Sequence, residues 1–152
     1  MVLWRLSRRP HADLGGRGGE LADGRWHTRG RPVVYCAGTA ALAVLEVRVH
    51  LDLPLELLPD DYVMMRIAAP DDLGAQALEA SDLPQGWRES EDVCRPFGDA
   101  WLRAASVALL SVPSAIVEVE RNVLVNPRHT DAGRVRLDEV VPFPWDRRLF
   151  RP

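Results

Sequence analysis

A chain of 152 residues, 47% of them hydrophobic, is long enough to bury one core and falls within the size of a single domain, expected here over residues 1–152. Its formal charge of -3 gives no reason to expect a basic face, so direct nucleic-acid binding is not expected. No stretch reaches the roughly eighteen apolar residues of a membrane span, no apolar run marks a signal peptide, and Cys36 and Cys94 lack CxxC spacing, so a soluble cytoplasmic protein is expected.

Val2 to Leu6 reads as a first strand, and the glycine-rich stretch from His11 to Gly30 as a long functional loop. Pro32 to Ala37 has strand composition. Thr39 then offers a hydroxyl cap for a helix from Ala40 to His50, whose Leu42, Leu45 and Val49 fall on one stripe with Glu46 at its margin. Leu53 to Pro59 is a proline-broken connection, Tyr62 to Ala68 a strand, and Ala69 to Pro96 weakly patterned. Asp99 is a candidate cap for a helix to about Leu110. Ser114 to Glu120 alternates as a strand that forms a hairpin with Val123 to Val125. Val135 to Phe143 is a last strand, before a tail whose Trp145 and Phe150 are placed to dock on the body. Strands and helices mix without strict alternation, which gives an α+β fold.

The four histidines, His11, His27, His50 and His129, form neither HExxH nor a Cys/His cluster, so no metal site is expected. There is no nucleophile elbow and no Walker loop. Polar residues stand beside apolar elements at Arg5, Arg25, Tyr35, Glu46 and Ser114, each with an ordinary structural explanation available. Glu46 stands out, because a carboxylate at the edge of a buried stripe needs a cation or hydrogen-bond donors; pairing with Arg48 or His50 at the surface is the alternative.

The string GRWHTRGRPVVYCAGTAALAVLEVRVHL, followed later by VPSAIVEVERNVLVNPRH, resembles the RES domain, the toxin half of RES–Xre toxin–antitoxin pairs. GRW, VVY, the LE of the helix, PSA and NP stand in the family's order and approximate spacing. Where the family usually reads Gly-Gly-Arg-Trp-Asn, this chain has Asp23-Gly24-Arg25-Trp26-His27.

The resemblance implies an ADP-ribosyltransferase-like fold, with two packed, mainly antiparallel sheets, flanking helices, and NAD as substrate in the cleft between them. Arg25, Tyr35, Glu46 and Ser114 are then the expected catalytic set. Arg5, Arg25, Trp26, Tyr35, His50 and Asn126 are expected to bind the dinucleotide. The implied partner is an Xre-type antitoxin with a helix-turn-helix domain, in a hetero-oligomer. The implied activity is growth arrest by cleavage of the nicotinamide–ribose bond, with water or phosphate as acceptor. Protein ADP-ribosylation is the alternative on the same fold, and a non-catalytic nucleotide- or partner-binding module the alternative of another class. The chemistry suits the residues: bond cleavage develops positive charge on the sugar, which a carboxylate stabilises, and guanidinium groups match a diphosphate.

Overall fold

Among the described residues there are seven strands, most of them runs rich in β-branched and apolar residues: β1 (Val2–Arg8), β2 (Val34–Ala37), β3 (Tyr62–Ala68), β4 (Ala75–Ala77), β5 (Leu109–Pro113), β6 (Arg121–Val125) and β7 (Arg136–Pro142). The helices are α1 (Arg17–Leu21), α2 (Ala40–Arg48) and α3 (Arg95–Ala104). The computed structural model describes residues 1–151. The strands hydrogen-bond in the order β4-β5-β6-β2-β1-β3-β7, antiparallel throughout except for the β4–β5 pair. No helix among the described residues is long and apolar enough to cross a membrane.

The α+β class is as expected, and the two expected sheets are linked into one. β1 pairs with β3 along its whole length, from Val2 opposite Ala68 to Arg8 opposite Tyr62. β2 pairs along its whole length with β6. Between these two well-paired units, β1 and β2 share one register pair, Trp4 with Ala37. Continued antiparallel pairing would set Arg5 against Cys36 and Leu6 against Tyr35. Instead the strands part there, and the sheet forks into two halves.

The core follows from the alternation of side chains. Val63, Met65 and Ile67 of β3 join Leu3, Val34, Cys36, Leu109 and Val123 in one cluster. The alternate residues feed two separate clusters. One gathers Trp26, Trp87 and Trp101 with Leu110, Val112 and Leu124. The other sets Leu42 and Ala43 of α2 against Leu6, Ala37, Tyr62 and Met64.

Thr39 caps α2 as its sequence indicates, its hydroxyl accepting from the Leu42 N–H at 3.1 Å. The buried face of that helix is Leu42 and Ala43; Val49, expected on the buried stripe, lies beyond the last turn and is exposed. The glycine-rich stretch contains the short α1, with Gly16 at its N-cap in the left-handed region at φ 72. α3 begins four residues before the expected Asp99 cap and ends well short of Leu110. Pro96 in its first turn carries the φ a helix start requires, and Ala105 at φ 46 terminates it. The hairpin is also shifted: Ser114 to Glu120 forms the connection, and its strands are β5 and β6.

The tail docks as expected. Trp145 meets Tyr62, Phe143 and Phe150 edge-on, with ring centroids 5.3, 5.2 and 5.5 Å apart. The Arg48 guanidinium lies 4.4 Å over the Phe150 ring, and its Nε donates to the Leu149 carbonyl at 2.8 Å.

Gly98 fixes how closely α3 can approach the chain at Trp26, because a Cβ there would stand 1.8 Å from the Trp26 carbonyl oxygen. Gly98→Ala is expected to destabilise the protein by about 3 kcal/mol or more, measured as a lower urea midpoint at unchanged slope.

Candidate active site

Where β1 and β2 part, the fork opens into a cleft of about 560 Å³. β1 contributes Arg5 and Leu6 to its wall, β2 contributes Tyr35 and Cys36, α2 contributes Glu46 and the turn after it His50, and β6 contributes Asn122. The segment from Ala22 to His27 closes one side, with Glu91 nearby. The volume is of the order that holds small-molecule ligands, a few hundred to about 1,000 Å³.

Three anchors hold the closing segment. The Asp99 carboxylate, buried within α3, accepts from the Thr28 N–H at 2.9 Å and the Thr28 hydroxyl at 2.6 Å, and lies 3.1 Å from Arg31 Nε. Arg95 Nε donates to the Gly24 carbonyl at 2.9 Å. Arg25, although on the cleft wall, donates to the carbonyls of Trp87 and Arg88 at 2.7 and 3.1 Å, and lies 4.0 Å from Glu91. Arg25 thus ties the 87–91 segment to the cleft. Arg5 is the less committed cation. Its contact is a 3.4 Å hydrogen bond to the Asp13 carbonyl, and it forms no ion pair among the described residues.

Tyr35 and His27 form a determined pair. His27 Nε2 lies 2.9 Å from the Ala22 carbonyl, which can only accept, so this nitrogen carries the proton of the neutral ring. His27 Nδ1 is then the acceptor for the Tyr35 hydroxyl at 2.7 Å, and that hydroxyl also accepts from the Trp26 N–H at 3.1 Å. Burial pushes the Tyr35 hydroxyl well above its ordinary range, against the Trp26 hydrogen bond, which acts the other way. A Cβ at position 24 would stand 2.5 Å from the Tyr35 hydroxyl and 2.6 Å from His27 Cε1, which accounts for glycine before Arg25. Trp26 is 2% exposed and packs on Trp87 as core as well as wall.

Glu46 lies at the cleft, and its partners are neither Arg48 nor His50. Its Oε1 accepts from Asn122 Nδ2 at 2.5 Å and from the Ser114 hydroxyl at 3.1 Å. Ser114 is wholly buried behind it, and its oxygen also accepts from the N–H groups of Ile116 and Val117, each at 3.1 Å. Its one donor and two acceptor positions are therefore filled within the chain.

Of the expected residues, the fork brings together Arg5, Arg25, Trp26, Tyr35, Glu46 and His50. Asn126 does not join them. It is buried after β6, its N–H bound to the Ala108 carbonyl and its side-chain oxygen to the Arg128 N–H, where it shapes a turn. Sequence reasoning missed Asn122 and Glu91, and read Asp99 only as a cap. Alternation along β6 was the available signal for Asn122, hidden by the misplaced hairpin.

The RES domain family matches residues 2–146, and the chain belongs to that family. It is 43% identical over 150 residues to a protein named Toxin Res from Pseudomonas putida, covering 99% of this chain and all of that one. It is 39% identical over 144 residues to a protein named Prs ADP-ribosylating toxin from Sphingobium, covering 91% of this chain and 88% of that one. The fold is also that of a chain in the crystal structure of the M. tuberculosis MbcT–MbcA toxin–antitoxin complex, with a TM-score of 0.71 at 19% identity, covering 93% of this chain and 83% of that chain.

Burial pushes the Cys36 thiol up from 9.0 to about 12. Because the folded value is raised, the stabilisation is complete below about pH 9 and is lost as pH climbs toward about 12. Cys94 is also raised by burial, with Arg25 opposing. An aromatic disulfide reagent at pH 8 is expected to leave both thiols unmodified in the folded protein and to modify both in urea; urea midpoints should fall between pH 9 and 11.

Proposed function

We propose that the chain is the toxin of a toxin–antitoxin pair, acting in the cytoplasm by breaking the nicotinamide–ribose bond of NAD. The observation that carries this reading is one cleft holding a carboxylate fixed through a single oxygen and, on β1, a guanidinium without an ion pair among the described residues. In the proposed reaction the C–N bond breaks, its electron pair leaves with neutral nicotinamide, and positive charge develops on the ribose. Glu46 faces that charge with its second oxygen, an interaction that strengthens as the bond breaks and so lowers the barrier. Arg5 neutralises the diphosphate, with Arg25 contributing through the donors its carbonyl contacts leave free. The ring of Tyr35, its hydroxyl turned to His27 and Trp26, offers an apolar face to the nicotinamide. Water or phosphate then adds to the sugar cation and gives up a proton.

A second reading, transfer of the ADP-ribose to a protein side chain, is favoured by the name of the Sphingobium relative. The cleavage step is shared and the acceptor differs. The partner in the pair is proposed as an Xre-type antitoxin, in line with the toxin–antitoxin complex in which the fold recurs.

Purified protein is expected to release nicotinamide from NAD, followed by chromatography. Glu46→Gln should lower kcat by about 10²–10³-fold. Arg5→Ala should raise KM by about 10–100-fold, the worth of hydrogen bonds to a charged group. Label from adenine-labelled NAD that appears on lysate protein supports transfer; label only in small products supports hydrolysis or phosphorolysis. Intact NAD after prolonged incubation with folded protein overturns the cleavage reading.

A further inference from the structure

We infer that Asn122 is a positioning residue for Glu46: its amide, with the Ser114 hydroxyl, holds one carboxylate oxygen and thereby selects the other to face the reacting sugar. This inference rests on the proposed cleavage of NAD for its kinetic consequence, but its geometric basis is independent of the substrate.

The geometry begins with the strand. Asn122 sits on β6 between Ala37 of β2 and Val112 of β5, so its backbone is registered on both sides. Its neighbour Arg121 is engaged elsewhere, with Ser111, Leu78 and Glu79, as strand alternation requires. Asn122 therefore belongs to the cleft side, and α2 brings Glu46 to it from 76 residues away.

The bonding pattern is determined. A carboxylate oxygen accepts, so the Asn122 group 2.5 Å from Glu46 Oε1 must be the amide nitrogen; the flipped amide would set oxygen against oxygen. The Ser114 hydroxyl, which accepts from two backbone N–H groups, has its proton directed to the same Oε1. Oε2 has no hydrogen-bond partner among the described residues.

The chemistry of the two donors matters as much as their placement. Both are neutral, and no arginine or histidine lies within ion-pair distance of Glu46 among the described residues. A paired cation would compensate the negative charge before the sugar could use it. An amide and a hydroxyl orient the carboxylate and leave its charge uncompensated. Asn122 is the member of the pair on the cleft wall, where a substitution disturbs less packing than at the buried Ser114.

The test is a double-mutant cycle on NAD cleavage with the full chain, using Asn122→Leu, which keeps the shape and removes the donor. The expected result is a kcat lower by about 10–100-fold with KM within about threefold, the loss of one hydrogen bond to a charged group. In a Glu46→Gln background the same change should have little further effect on kcat, because the residue acts through the carboxylate. A merely structural role would lower kcat equally in both backgrounds, and a rise in KM alone would make Asn122 a substrate ligand; either result overturns the inference. If Asn122→Leu does not fold, Asn122→Ala removes the same donor without added bulk, with the same loss in kcat expected.

A second measurement needs no activity. Carbon-13 NMR of the Glu46 carboxyl, assigned by its disappearance in Glu46→Gln, should move or broaden in the Asn122 variant. An unchanged resonance overturns the inference whatever the substrate. A parent protein that leaves NAD intact while the resonance responds would sink the cleavage reading and leave the positioning role standing.

Discussion

The parting of β1 from β2 is the constraint on which the rest of the molecule depends. Two strands that run antiparallel normally continue to pair, because an unpaired backbone group away from water is costly. Here each strand is satisfied on its far side, β1 by β3 and β2 by β6, so the gap between them lies between two rigid walls. Residues that a closed sheet would have paired, Arg5 and Leu6 on one strand and Tyr35 and Cys36 on the other, border a cavity instead. The covering of the sheet divides in the same way. α2 packs over Leu6 and Met64, while the three tryptophans pack over Leu110 and Leu124.

The segment from Gly24 to Arg31 shows how a sequence without regular structure is made rigid. Its anchors come from elsewhere in the chain: the Asp99 carboxylate in α3, the Arg95 guanidinium, and the Tyr35 hydroxyl in β2. His27 is part of this network. Its ring spans from Ala22 to Tyr35 with both nitrogens bonded, which fixes its tautomer and turns the tyrosine hydroxyl away from solvent. Arg25 has a double part, since the guanidinium on the cleft wall is also the clamp on the 87–88 carbonyls.

Elements with strong local signals were legible in the sequence. The run Tyr62 to Ala68, read from its strand composition, is a strand to the residue, and Thr39 caps α2 with its side chain. The errors arose where two local signals competed. Asp99 has the chemistry of a cap, but Pro96 starts the helix earlier and the carboxylate serves a residue 71 positions away. Ser114 to Glu120 alternates as a strand does, yet Pro113 ends the pairing and the segment turns. That misreading hid Asn122, whose significance depends on a contact no local window contains. Glu46 was legible as an anomaly, a carboxylate at the edge of an apolar helix. Its partners were not, because surface neutralisation and burial against neutral donors look the same in the sequence.

Among the described residues, the side chains that hold Glu46 follow it late in the chain. Asn122 comes 76 residues after it, and the Arg48 side chain on the same helix reaches Leu149, 101 residues on. During synthesis, therefore, α2 emerges long before anything can hold its carboxylate in place. A chain that ends before β6 has the α2 segment without its anchor and lacks the Asn122 wall of the cleft.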